Sequence, residues 1–279
     1  MMTIEVRYRP ISWLPFTRKA NSNVPQNWGD VTQEQLIAIA CLYKSAISDI
    51  AFLKAMSGLK KRILNKLSDY ERYKLMEIIE FVGDQKPHHE FIIKKLPSKN
   101  SDSGSLLRSL SLSKGEVLTA PEGKLKGITF GQFIFADTYF ANYQQSNDET
   151  DLNKFIASLY LKKDELFNEK RIQSRHFQIR KIDKNIREAI VLNYQLMHEW
   201  LALAYPLIFH TVSEITTIPS ISEGDVAIQE IKRDPNIWIK VFQNFVGDDI
   251  IHDEVWAAKP INTIFAYMTR KYKENARKK

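Results

Sequence analysis

Asp137 stands alone among aromatic residues. It lies in TFGQFIFADTYFANY (129–143), where fifteen positions hold six aromatic side chains and one carboxylate. A stretch of this kind can stack nucleic-acid bases, surround a general acid, or line a core. An RNA-recognition strand opens with a basic residue, a glycine and an aromatic. Here Gln132 separates Gly131 from Phe133, and strand alternation fails beyond Phe135. At helical spacing, Phe130, Phe133, Ile134, Asp137 and Phe140 share one stripe, while Phe135, Tyr139 and Tyr143 share another. Apolar residues on two stripes predict a helix largely enclosed by its neighbours, with Asp137 as a buried structural carboxylate. A buried carboxylate is costly unless it is paired or hydrogen-bonded. The simplest partner is an arginine from 171–187. A general acid would need a histidine or second carboxylate beside it, and the sequence places neither.

The other reactive residue types fall into weaker patterns. His88 and His89 are adjacent and point differently on a strand, so they are poor co-ligands. Asp249 and His252, in GDDIIHDE, are three apart and could share a helical face. A zinc or iron site needs three or more converging ligands, and no HExxH, CxxC or calcium-loop pattern completes this pair. No metal or cofactor is expected. His198-Glu199 is followed by Trp200 rather than by a second histidine four positions on. Cys41, the single cysteine, excludes an intrachain disulfide and sits in an apolar helical pattern as packing. With no phosphate-cradling glycine loop and no nucleophile elbow, the expectation is a protein that is not an enzyme.

Charge is concentrated at one end. The formal net charge is +7, and the final MTRKYKENARKK carries six positive charges and one negative, leaving +2 for the preceding chain. Lys271, Lys273, Arg277, Lys278 and Lys279 could contact phosphate, and nucleic-acid association is therefore a second reading. Cations are equally favoured at a helix C-terminus by the macrodipole. The longest apolar run, WLALAYPLIF (200–209), has about half the ~20 residues that span a bilayer. The opening MMTIEVRYRPISWLP mixes charge into its apolar residues, so neither a secretory leader nor a membrane partner is expected.

The elements that must position these residues read as mainly α, a multi-helix bundle with a small β excursion. An N-terminal strand alternates Ile4, Val6 and Tyr8 with charged residues, and RKANSNVPQN (18–27) reads as a loop. Thr32 and Gln35 open a helix whose apolar positions run from Leu36 to Leu53, with Gly58 as its stop. Ser68 and Glu71 open another. HEFIIKKLP (89–97) reads as a strand, 98–116 as a Ser- and Lys-rich mobile stretch, and 117–127 as an extended segment with a turn near Glu122-Gly123. Thr129 and Gln132 cap the aromatic helix, DLNKFIASLYL (151–161) forms a short one, and 162–181 is only weakly periodic. A strong helix follows Asp183 to a break at Pro206. Asp234-Pro235 and Pro260 then start the terminal helices. The expected organisation is an N-terminal strand and helical half (1–97), a β excursion (98–127, with strand segments near 89–125), and a C-terminal helical half (128–279) that forms one compact unit with the first.

LKGITFGQFIFADTYFANY followed by DLNKFIASLYL resembles a pattern in tailed-phage and prophage proteins related to tail-assembly chaperones. Those carry a "T-x-G-x-(F/Y)-I-x-A-D" helix and then "L-x-x-(L/F)-x-A-x-L-Y-R-P". Thr129, Gly131 or Phe133, Ile134, Ala136 and Asp137 approximate the first motif, and Leu152, Phe155, Ala157, Leu159 and Tyr160 match the second. WGDVTQEQLIAIA (28–40) is similar to a "W-x-x-L-T-x-x-Q-L" helix start of the same setting. Leu161-Lys162 replaces the usual Arg-Pro, and the C-terminal third has no counterpart. The resemblance implies a non-enzymatic phage or prophage protein in the bacterial host cytoplasm or the virion. Its implied partners are tail components such as the tape-measure protein, engaged by exposed apolar surface. The apolar segments 200–209 and 236–247 could supply that surface through Trp200, Leu203, Tyr205, Phe209, Trp238 and Phe242.

Overall fold

The computed structural model describes residues 1–11, 13, 15–44, 47–83, 87–96, 117–209, 237–246 and 253–277. The expected segments 98–116, Asp234-Pro235 and Asp249/His252 lie outside them, as do Lys278 and Lys279. The fold is mainly α with a small β excursion: helices dominate, beside one sheet of two strands and one of three.

The first compact unit comprises 1–93 and 184–199. Strand β1 (Met2–Tyr8) pairs antiparallel with β2 (Arg18–Val24), in register from Met2 opposite Val24 to Tyr8 opposite Arg18. The expectation of a loop over 18–27 is thus corrected. RKANSNV has poor strand propensity, but β1 supplies its hydrogen-bond ladder, and Ser22 and Val24 turn inward on alternate positions beside Ile4 and Val6. Ser22 Oγ donates to the Ser57 carbonyl at 2.6 Å.

Helix α1 (Gln33–Tyr43) opens on the full reciprocal capping box of Thr32 and Gln35. The single helix expected from Leu36 to Leu53 is in fact two, because α2 (Asp49–Ser57) starts afresh behind Ser48, a residue type that favours helix starts. Gly58 ends α2 at φ +67°, a left-handed conformation that only glycine adopts without strain. After the short α3 (Lys61–Leu64) comes α4 (Asp69–Ile78), whose N-cap Ser68 accepts from the Glu71 amide. The 184–199 part of helix α8 (Lys184–Ala204) completes this unit. Its Asn193 amide donates to the Glu90 carbonyl and accepts from the Ile92 amide at 2.6 Å, and Leu196 accepts from the His88 amide. These side-chain and backbone bonds replace the ladder that 89–97 would have made as a full strand.

The second unit comprises 94–183 and 200–279. Among the described residues of the expected 89–97 strand, only Lys95–Leu96 is strand (β3). It pairs with β4 (Leu118–Thr119), and β4 pairs with β5 (Leu161–Lys162), all antiparallel. Helix α5 (Phe130–Ser146) is capped by Thr129, as the sequence implies, and packs chiefly on α6 (Glu149–Leu159). Gly131 lets α5 approach the helix Asp253–Ala257: a Cβ there would stand 3.2 Å from that of Ala257. Helix α7 (Lys170–Ile179) was hidden in the weakly periodic 162–181, because two of its inward positions, Arg175 and His176, are polar. The helices Ile237–Val246 and Ile261–Arg277 complete the unit, the latter directly after Pro260.

Candidate functional site

Aromatic rings organise the second unit around Phe265. Phe133, Trp238 and Tyr205 stand 5.5, 5.5 and 5.1 Å from it between ring centroids, and Phe130 and Phe209 follow at 6.2 and 5.9 Å. Most meet edge to face, the arrangement that ring quadrupoles favour. Into this cluster α5 delivers Asp137, buried as expected at 4% exposure. Its Oδ2 accepts a hydrogen bond of 2.6 Å from Trp238 Nε1. The indole N–H is a donor that the sequence does not announce, 101 positions away in the chain. Two arginines of 171–187 are buried, Arg175 and Arg187; Arg175 donates to the Ala157 carbonyl and pairs with Glu165 at 2.5 Å.

The segments expected to offer apolar partner surface divide accordingly. Phe209 and Trp238 are buried, so that expectation is corrected for both: their rings are spent on Phe265, Phe133 and each other. Trp200 and Tyr205 are half-buried, and the Tyr205 hydroxyl donates to Asn262 at 3.1 Å. Leu203 is exposed at 70%. The side chain of Phe242 lies outside the described residues. Of the C-terminal cations, Lys271, Lys273 and Arg277 are exposed on the last helix, and Lys271 pairs with Glu274 at 3.8 Å. Among the described residues no three His, Cys, Asp or Glu side chains come together as a metal-ligand group, and no helix is long and apolar enough to cross a membrane.

A second ionic feature sits between β5 and α7. Glu165 Oε1 accepts from Arg171 at 2.8 Å and from Arg175 at 2.5 Å, and Oε2 accepts from the Lys162 amide at 2.9 Å. Burial alone would raise the Glu165 carboxyl. The Arg171, Lys162 and Arg175 donors together outweigh it and hold the group below the ordinary glutamate value. The cluster is saturated, and it fastens one helix to one turn.

Exposed aromatic side chains also gather in the first unit, for which the sequence offered no site. The loop joining β1 to β2 exposes Trp13 at 80% and Phe16 at 67%, with Ile11 also exposed. On α4, Tyr70 and Tyr73 are exposed at 72% and 67%, one helical turn apart. Between hairpin and α4 lies a cleft of about 660 Å³, lined among others by Arg7, Arg9, Thr17, Lys66, Ser68 and Glu71. The order of the hairpin residues follows from strand geometry: Ile4 and Val6 enter the core, so Glu5, Arg7 and Arg9 take the outward positions. The sequence showed that polar alternation but gave no sign that residues 65–71 would stand opposite. Comparison with protein-family models, with curated proteins and with solved structures returned no match.

Proposed function

We propose that this chain acts without catalysis, through protein contacts, as a tail-assembly chaperone or virion-assembly component of a tailed phage or prophage, working in the bacterial host cytoplasm. The observation that carries the protein-contact reading is the exposed apolar hairpin loop, with Trp13 and Phe16 both more than half accessible. A single exposed hydrophobic residue is ordinary; two large rings on one short loop, in a unit whose α4 exposes two tyrosines as well, are the composition of an interaction surface. The phage setting rests on the resemblance of 125–161 and 28–40 to tail-assembly proteins. The reactive side chains traced above are engaged in structural contacts: Asp137 with Trp238, and Glu165 with two arginines.

The test is co-expression of the full chain with the tape-measure and tail-tube proteins encoded beside it, followed by affinity capture. The expected result is co-purification of one of them. Trp13→Ala with Phe16→Ala should reduce it at least about tenfold, as loss of aromatic anchors does. A chain that purifies alone beside every tail protein overturns the reading.

A further inference from the structure

We propose that the cleft between the β1–β2 hairpin and the start of α4 is a docking groove for an acidic, extended segment of a partner protein. Arg7, Arg9 and Lys66 would receive its carboxylates, and Glu71 one of its backbone N–H groups. This deepens the protein-contact reading above and rests on it.

Three observations carry it. The first is charge. Arg7, Arg9 and Lys66 are exposed at the cleft and make no ion pair among the described residues, whereas the neighbouring Lys19 and Arg72 are engaged by Glu5 at 2.9 Å and Asp69 at 3.7 Å. Three cations left without counter-charges around one concavity complement a polyanion. The second is an orphaned acceptor. Glu71 lines the cleft, its amide is held by Ser68 Oγ at 3.3 Å, and its Oε2 is buried with no hydrogen-bond partner. The reciprocal half of that capping box, from the Glu71 side chain to the Ser68 amide, is not formed, so the Ser68 amide does not satisfy this oxygen. A buried carboxylate oxygen calls for a donor. A peptide backbone brings an N–H at every residue, whereas the phosphate diester backbone brings none. This is the feature that favours an acidic peptide over a nucleic acid. The third is the rim. Thr17 lines the cleft, and the loop leading to it carries the exposed rings of Trp13 and Phe16, which can cover an apolar side chain next to the acidic ones. At about 660 Å³ the cleft has the size of ligand-binding concavities in general.

The probe is a dye-labelled peptide of about eight glutamates, measured by fluorescence anisotropy on the full chain near 50 mM salt, where screening leaves such contacts strong. A thymidylate strand of equal length and inorganic phosphate serve as competitors. The peptide should bind the wild type, and Arg7→Glu with Arg9→Glu should weaken it at least about tenfold, given the strength of charge-assisted pairs. Lys271→Glu with Lys273→Glu should leave it unchanged. Circular dichroism melts check the fold; if the hairpin variant melts early, Lys66→Glu, on a turn, takes its place. The proposal is overturned by absent peptide binding, or by binding that ignores the cleft substitutions. It is equally overturned if thymidylate or phosphate displaces the peptide at matched charge concentration, which would make the cleft a phosphate site. Capture of the tail partner keeps the two readings apart. Capture that survives the cleft substitutions removes only the groove, whereas a wild-type chain that captures no tail protein removes the protein-contact reading itself.

Discussion

Asp137 and Trp238 are 101 positions apart in the chain, and the 2.6 Å bond between them joins α5 to the helix Ile237–Val246 inside an aromatic cluster. Its worth lies in the cost of breaking it. Trp238→Phe keeps a ring against Phe133 and Phe265 but removes the N–H, so a buried carboxylate oxygen loses a donor. We expect a loss of about 1–3 kcal/mol in denaturant-induced unfolding, with Phe133→Leu, which leaves the bond intact, as the packing control. The aromatic stripe and its misfit carboxylate were legible in the sequence, because helical spacing puts Phe130, Phe133, Asp137 and Phe140 on one face. The donor was not legible. A solitary tryptophan in an apolar helix reads as surface or core with equal ease, and only its arrival opposite Asp137 assigns the indole N–H.

Helix α7 shows the same limit one level up. Its sequence carries Ile172 and Ile179 seven apart, a correct helical interval, but Arg175 and His176 occupy the face between them and dilute the apolar signal. Burial of Arg175 is tolerated because Glu165 and the Ala157 carbonyl satisfy it. The linkage has a definite sign. Glu165 is held below the ordinary glutamate value of 4.5, so the unfolded chain takes up its proton first on acidification. The stabilisation is complete above that value and is lost as pH falls through the lower, folded one. Glu165→Gln should therefore melt at lower temperature than wild type near neutrality, and the gap should shrink as pH is lowered below about 4.5. A gap independent of pH would mean that the cluster contributes no charge-dependent stability. In the hairpin, by contrast, β1 was legible from its alternation, while β2 was not. RKANSNV is a strand because its partner is one.

At the scale of the molecule, two compact units each draw on two separate stretches of the chain. The expected N-terminal half, 1–97, lacks the 184–199 stretch that belongs to the same compact unit. That stretch buries Ile190, Tyr194 and Met197, pairs Glu188 with Lys44 at 3.2 Å, and holds 88–92 through Asn193 and Leu196. A fragment of residues 1–97 should consequently show no cooperative thermal transition, whereas the full chain should; a sharp transition in the fragment would contradict the interleaved arrangement. What the sequence determined by itself was local: capped helix starts at Thr32, Ser68 and Thr129, the stop at Gly58, the mainly α class, and the enclosure of the aromatic helix. Each follows from spacing and backbone preference within a few residues. The tertiary structure alone decided the donor to Asp137, the burial of Phe209 and Trp238, the return of 184–199 to the first unit, and the meeting of Arg7 and Arg9 with Lys66 and Glu71. Those are pairings across tens of residues, selected by packing of whole elements, and no local periodicity encodes them.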